Sequence, residues 1–377
     1  MTVSIAIVGA GYVADMYLQT LPAHDIQLAG VYDRDPARLA AFCAHHRVTA
    51  FPSLDALLAD VRVGMVVNLT NPREHYAVSR AALEAGRHVY SEKPLATTLD
   101  DARALVTLAK ARGLHLAAAP CNHLGNAVAT LCRTVNDGRL GRVILAYAAM
   151  DDGMIPGLAY GSWRSRSGAP WPARDEFEVG CVNEHAGYQI APLVALFGPV
   201  RTVTRFAAVE MPEKGPELAL GPQGPDFSVG VLTFDHGVAA RLTCSILAPA
   251  DRSLRVIGTD GVATLADVWE YDSPVRVSRT GMALPSRLAR KAEQKLHRAA
   301  PGLMRGRRVR HDGPRAVKTQ GGHHMDFARG IAQLADAIGR VPPGPGAALA
   351  LHITEVTLAL QDDGPAVRTI GDCTPAV

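Results

Sequence analysis

The apolar run Val3 to Val8 leads directly into Gly9-Ala10-Gly11-Tyr12-Val13-Ala14, and the residues that follow carry a helical pattern. An uninterrupted apolar run suits a strand buried on both faces, as in a parallel sheet. Gly9 permits the tight bend out of that strand, and Gly11 lets backbone N–H groups come close to a bound group. Ala14 is small enough for the helix to pack on the sheet. The helix N-terminus favours an anion, above all a pyrophosphate, with Tyr12 and Val13 beside it. A second strand, Ile26 to Tyr32, ends at Asp33, 22 residues after Gly11. A carboxylate there accepts hydrogen bonds from both hydroxyls of an adenosine ribose, which favours NAD. Arg34 follows at once, and a guanidinium suits the 2′-phosphate of NADP, so NADP is not excluded.

Strand-like and helix-like segments go on alternating to about residue 120. Val63 to Leu69 reads as a buried strand, and the loop Thr70-Asn71-Pro72 after it falls at the carboxyl edge where nucleotides bind. His75, a further candidate at the cofactor, opens a helix closed by Gly86, Arg87 to Tyr90 is a strand, Leu99 to Ala111 a helix closed by Gly113, and Leu114 to Ala119 a last strand. Pro120 marks the expected domain boundary. Beyond it, Phe227 to Phe234 and Val238 to Leu247 alternate around the hairpin signature Asp235-His236-Gly237. Arg255 to Ile257 and Val262 to Leu265 repeat the pattern around Gly258-Thr259-Asp260-Gly261. A helix is expected from Ala347 to Gln361. The expectation is an α/β protein: a doubly wound Rossmann domain over 1–120, then an α+β domain over 121–377 with a largely antiparallel sheet covered on one face.

With 377 residues and 48% hydrophobic composition, the chain is long enough for two cored domains. A net charge of +3 gives no electrostatic case for nucleic acid. Residues 287 to 318 are the exception, with eight Arg and three Lys against Glu293 and Asp312. Within 284–318, Leu284, Leu288, Ala292 and Leu296 have helical spacing, with Arg290, Lys291, Lys295 and Arg298 on other faces. Such a helix suits an anionic surface, although a solvated insertion is the commoner outcome. Cys43, Cys121, Cys132, Cys181, Cys244 and Cys373 lack metal-type spacing and read as reduced thiols. The first strand begins by residue 3, leaving no room for a signal peptide, and no apolar run reaches spanning length; a soluble cytoplasmic protein is expected.

Gly9 to Ala14, Asp33, Thr70-Asn71-Pro72 with His75, Gly86-Arg87-His88-Val89-Tyr90-Ser91-Glu92-Lys93-Pro94 and the helix ending at Leu196-Phe197-Gly198 fall in one order. In this the chain resembles the glucose-fructose oxidoreductase, inositol dehydrogenase and rhizopine-catabolism (Gfo/Idh/MocA) family. Its most specific shared element is Glu92-Lys93-Pro94. The resemblance implies a nicotinamide-dependent oxidoreductase acting on sugars, nucleotide-sugars, cyclitols or related carbonyl compounds, assembled as a homo-oligomer through the open faces of its sheets. It also implies that Lys93, fixed by Pro94 and supported by Glu92, is the catalytic cation.

Family members usually carry Asp-x-Gly-x-His before that last helix, whereas this chain has Glu184-His185-Ala186-Gly187-Tyr188. Glucose-fructose oxidoreductase and dihydrodiol dehydrogenase are similar in having Tyr at the final position, which makes Tyr188 the expected proton donor or acceptor. Its phenol is expected to need a lowered pKa, supplied by Lys93. Glu184 would share a helical face with Tyr188 and orient Lys93 or a substrate hydroxyl. His185 is a rival acid/base, although a helical neighbour points about 100° away. Pro192 would clash with the carbonyl of Tyr188 in a continuous helix, so the regular helix is expected to start near Pro192.

Between Met150 and Val179 lies an irregular segment with Trp163, Arg164, Arg166, Trp171 and Arg174. Indole faces suit the C–H side of a sugar ring and guanidinium forks suit anionic groups, so Trp163, Arg164 and Trp171 join Lys93, Glu184 and Tyr188 as substrate-binding candidates. His323-His324 with Asp326 lacks a third ligand at recognisable spacing, and no metal is expected. The competing reading is a sugar sensor or regulator that binds NAD(P) without catalysis; the intact Glu92-Lys93-Pro94 argues against it.

Overall fold

Five N-terminal strands, β1 (Ser4–Val8), β2 (Gln27–Tyr32), β3 (Met65–Asn68), β4 (His88–Ser91) and β5 (Leu116–Ala118), pair in parallel in the order β2-β1-β3-β4-β5. The computed structural model describes residues 3–215, 218–279, 291–292, 295, 306–313, 319, 323–361 and 367–371. Alternate residues of β1 enter two separate cores. Ala6 and Val8 pack with Leu83 and Leu105, whereas Ile5 and Ile7 pack with Tyr17 and Phe42. This two-sided burial is why β1 reads as continuous rather than alternating apolar sequence. The helix Leu99–Arg112 starts where the Thr98 hydroxyl accepts the backbone N–H of Asp101 and ends at Gly113, with φ +62°.

The second sheet has nine strands, β6 (Val143–Asp151), β7 (Val200–Ala208), β8 (Phe227–Phe234), β9 (Ala239–Ser245), β10 (Leu254–Gly258), β11 (Gly261–Leu265), β12 (Val275–Arg279), β13 (Arg307–Val309) and β14 (Val367–Thr369). Their order is β13-β12-β11-β10-β6-β9-β8-β7-β14, and every pair is antiparallel except β6 with β9. At the β8–β9 hairpin His236 and Gly237 take φ +63° and +75°, the left-handed conformation the tight connection needs. One face, including Ala146, Leu232, Leu242 and Val256, packs with Ile190, Leu193 and Val194 of the helix Gly187–Phe197. The other face leaves Leu145, Tyr147, Phe206 and Val231 exposed.

The C-terminal helices join the two units. Ile331 and Leu334 of the helix Arg329–Ala337 pack in the core of Ile5 and Ile7. The helix Pro345–Gln361 places Ala347, Ala350 and Leu351 in the first unit and Ile353, Val356 and Leu360 in the second. A boundary at Pro120 therefore separates the sheets, while residues 328–351 return to the first core. Of the helical run expected from Leu284 to Leu296 the described residues are 291, 292 and 295, helical and exposed, and much of the basic stretch lies outside the described residues; within that stretch Arg307–Val309 forms edge strand β13. Cys43, Cys121, Cys132, Cys181 and Cys244 are free thiols. Among the described residues no helix is long and apolar enough to cross a membrane.

Candidate active site

The chain leaves β1 toward β2 on one side and β3 toward β4 on the other, which opens a crevice beyond the carboxyl ends of β1 and β3. Gly9 stands at its floor with φ +102°, and a Cβ there would meet the carbonyl oxygen of Leu69 at 2.5 Å. Gly11 has no protein atom within 4 Å of where its Cβ would be. The two glycines thus do different work: Gly9 lets two loops touch, and Gly11 leaves a space. That space belongs to a cavity of about 630 Å³ lined by Gly9, Gly11, Tyr12, Val13, Asp33, Arg34, Thr70, Asn71, Pro72, Glu92 and Lys93.

His75, expected at the cofactor, does not line the cavity. It is fully buried, with Nδ1 2.6 Å from the carbonyl oxygen of Pro94 and Nε2 2.9 Å from that of Thr70, so it ties the turn after Lys93 to the loop after β3. Burial pushes its pKa down. Asp33 also departs from expectation. Its Oδ2 accepts the N–H of Ala10 (2.7 Å) and Arg38 Nε (3.0 Å), and its Oδ1 accepts the N–H of Asp35 (2.8 Å) and Arg38 Nη2 (2.8 Å). Four bonds fill the acceptor positions a ribose would use. Burial opposes the charge, but these bonds hold the carboxyl below its usual range. Arg34 is exposed and pairs with Glu74 at 3.0 Å.

Lys93 follows β4 and reaches across to the second unit. Glu92 braces it: Oε2 accepts the backbone N–H of Lys93 at 3.0 Å, and Oε1 accepts the Tyr17 hydroxyl at 2.7 Å. The Lys93 ammonium pairs with the carboxylate of Glu184, and the cavity holding both also exposes His185 and Tyr188. Burial disfavours the charge on Lys93, yet Glu184 and its neighbouring acids hold it protonated above its usual range.

Val182–Ala186 forms a π-helical turn that carries Glu184 and His185, and the regular helix begins at Gly187. The expected start near Pro192 is corrected, because the helix runs through that proline. The carbonyl of Tyr188 that Pro192 cannot satisfy accepts Asn122 Nδ2 instead, at 2.8 Å. The expected lowering of the Tyr188 pKa is also corrected: burial pushes it well up, and the opposing pull of Lys93 is smaller. Burial and the nearby Glu176 push the Glu184 carboxyl up to about 7, against the pull of Lys93. His185 is no neutral base. Although burial opposes its charge, Asp152 at 2.8 Å and Glu176 at 3.6 Å push its pKa up to about 10.

Adjoining this cavity on the side of the second unit lies another, the inner cavity, of about 610 Å³, sharing Tyr12, Trp171, Glu176, His185 and Trp269 with the first. Trp163, Arg164 and Trp171 line it, from a loop closed by the Trp171 N–H donating to the Trp163 carbonyl at 3.2 Å. The loop is moored to the first unit by Ser167, whose hydroxyl donates to the buried Asp15 at 2.7 Å. Sequence reasoning missed Asp152, Glu176, Arg252 and Trp269, which complete the walls. Their linear signal was slight: an acidic pair after a strand, an acid on a seven-residue helix, a lone arginine and the third tryptophan of an aromatic-poor chain. His323 and His324 pair with Glu270 at 2.8 Å and 3.4 Å, and Asp326 pairs with His24 at 2.9 Å.

Residues 3–119 match the model of an oxidoreductase family with an NAD-binding Rossmann fold, and residues 128–264 match the GFO/IDH/MocA C-terminal domain. The chain is 40% identical over 111 residues to UDP-N-acetylglucosamine 3-dehydrogenase of Acidithiobacillus ferrooxidans, covering 29% of this chain and 34% of that protein. It is 27% identical over 265 residues to trans-1,2-dihydrobenzene-1,2-diol dehydrogenase of Oryctolagus cuniculus, covering 69% of this chain and 74% of the relative. The chain spans between a third and about half of the length of the first relatives it matches. In fold it is similar to the WlbA dehydrogenase of Bordetella pertussis, solved with NADH and UDP-GlcNAcA: TM-score 0.68, 21% identity, 95% and 94% of the two chains covered.

Proposed function

Since the chain belongs to the GFO/IDH/MocA oxidoreductase family, we propose that it moves a hydride between NAD(P) and a CH–OH or carbonyl carbon of a sugar-like substrate. One observation carries the reading: Lys93 from the first unit and Glu184 and Tyr188 from the second open onto the cavity that Gly9 and Gly11 also line. The cradle fits a dinucleotide, because a Cβ at Gly9 would drive into the loop after β3 whereas Gly11 faces unfilled space. Gly11, Tyr12, Val13, Thr70, Asn71 and Pro72 would hold its phosphates and nearby ribose. When bound, the nicotinamide supplies the carbon that accepts or gives the hydride.

The remaining chemistry falls to the protein. The Lys93 ammonium, kept charged by Glu184, hydrogen-bonds the reacting oxygen and stabilises the negative charge that develops on it. In reduction the neutral Tyr188 phenol gives the oxygen its proton and is reprotonated from Glu184; in oxidation the same two transfers run backwards. His185, charged between Asp152 and Glu176, stays out of the transfer and fixes the wall beside Glu184.

The test is NAD(P)(H) turnover over a panel of cyclic polyols and sugars by wild type, Lys93→Met and Tyr188→Phe. Lys93→Met is expected to lose about 100-fold or more in kcat with dinucleotide affinity kept. Equal rates in all three proteins remove the assignment. The same reading includes self-association through the open face of the second sheet, where Tyr147, Phe206 and Val231 are 38%, 53% and 43% exposed. Light scattering that finds a monomer at micromolar concentration would refute that part.

A further inference from the structure

Resting on the redox reading, we propose that the inner cavity is a subsite for an uncharged hydroxylated ring, and that Asp152 and Glu176 determine this by occupying its interior cations. Lys93, in the first cavity, is paired with Glu184, and in the second His185 is paired with Asp152 and Glu176, and Arg252 with Asp267 at 2.7 Å and Asp152 at 3.3 Å. These three cations are each 17% exposed, and Asp152 and Glu184 are 4% and 5% exposed. Among the described residues lining the second cavity, the only other Lys or Arg is Arg164. Arg164, Arg166 and Arg174 are exposed, and Arg164 Nη1 donates to the carbonyls of Gly161 and Trp163 in its own loop. A carboxylate or phosphate entering the pocket would have to displace an acid from an existing pair and then lie against it, a repulsion that selects against anions.

The same walls favour hydroxyls and C–H faces. Carboxylates of Asp152 and Glu176 accept from hydroxyl groups, and the indole N–H of Trp269 has no partner among the described residues. The tryptophans offer flat apolar surface: Trp163 and Trp171 meet edge to face at 5.1 Å, and Arg252 lies over Trp269 at 4.3 Å, holding that ring in place. The arginines of the loop, whose guanidinium forks suit anionic groups, are thus exposed, while the paired-charge walls favour a neutral ring.

The chain has three tryptophans and all three line this cavity, so intrinsic fluorescence reports its occupancy. The full chain, with and without NAD, would be titrated with myo-inositol, methyl glucoside and trans-cyclohexane-1,2-diol, and separately with glucuronate and UDP-N-acetylglucosamine. At least one uncharged ring should bind about tenfold or more tighter than either anion. Asp152→Asn, and independently Glu176→Gln, should narrow that gap about tenfold for glucuronate by removing one of the two acids on His185, and in the first variant one of the two acids on Arg252 as well. Tighter binding of an anion, silence toward every compound, or unchanged discrimination in both folded variants overturns the proposal. Binding of uncharged rings without NAD(P) reduction would support the subsite while striking the redox reading.

Discussion

The two cavities meet at Trp171, Glu176, His185 and Trp269 but are built by different physics. Around Gly9 and Gly11 the working parts are backbone: a left-handed residue, an open gap and a helix N-terminus, all within one short stretch. The inner cavity is made of side chains brought from residues 152, 163–176, 185, 252 and 269, held by paired charges and ring contacts. A backbone cradle tolerates few residue types and is local. A paired-charge pocket tolerates many and exists once the chain has folded, so specificity can change there without disturbing the cradle.

Substituting the two glycines separately should break the cradle in two distinguishable ways, and this is the largest effect expected. Gly9→Ala puts a Cβ 2.5 Å from the Leu69 carbonyl oxygen at a φ of +102°, so stability should fall by about 2–4 kcal/mol and dinucleotide binding with it. Gly11→Ala meets nothing within 4 Å in the protein. It should melt within about 0.5 kcal/mol of wild type yet bind NADH more weakly. Thermal melts beside NADH titrations would separate them; equal melting losses in the two variants would contradict the division of labour.

The same contrast explains what was legible in sequence. Gly9, Gly11 and the β1 run announce themselves because steric demand leaves few alternatives at fixed spacing, and the hairpin at His236-Gly237 shows through for the same reason. Lys93, Glu184 and Tyr188 were visible through family resemblance, with their roles still to be measured. Asp152, Glu176, Arg252 and Trp269 come from segments joined by tertiary contacts alone, and no linear period marks them. His75 misleads because a polar residue opening a helix at the binding edge looks like a ligand, and only its burial between two carbonyls shows a brace. The Tyr188 phenol misleads differently: the Lys93 charge was foreseeable, whereas the larger cost of burial depends on everything packed around it.

A pH profile sharpens the comparison, because the titrating group belongs to the paired-charge side. The Glu184 carboxyl is pushed up to about 7 by burial and Glu176, and its ionised form is the one that can take a proton. Oxidation should therefore rise about tenfold between pH 6 and 8, while reduction, which draws on the protonated form, should fall over the same interval. Glu184→Gln should flatten both profiles and leave NADH affinity nearly unchanged. Persistence of an inflection near neutrality in that variant would move the titration elsewhere, although His185, pushed up to about 10, is poorly placed to supply it.

The smallest effect expected lies where the cradle itself borrows the logic of the inner pocket. Asp33 has its four acceptor positions filled by two backbone N–H groups and the Arg38 fork, so its charge is neutralised as Asp152 neutralises Arg252. With Arg38 35% exposed and Arg34 71% exposed at the cavity edge, a 2′-phosphate meets guanidinium groups there, while a ribose diol must compete with Arg38 for the carboxylate. Arg38→Ala should uncover the Asp33 charge and give the diol its acceptors, shifting the ratio of NADP to NAD affinity toward NAD by about fivefold to tenfold, roughly 1 kcal/mol. Competitive titration of the two dinucleotides measures that ratio directly. If it stays constant while Arg38→Ala remains folded, the fork is a structural tie and the adenosine end is recognised without Asp33; if it moves toward NADP, the effect assigned to the uncovered carboxylate has the wrong sign.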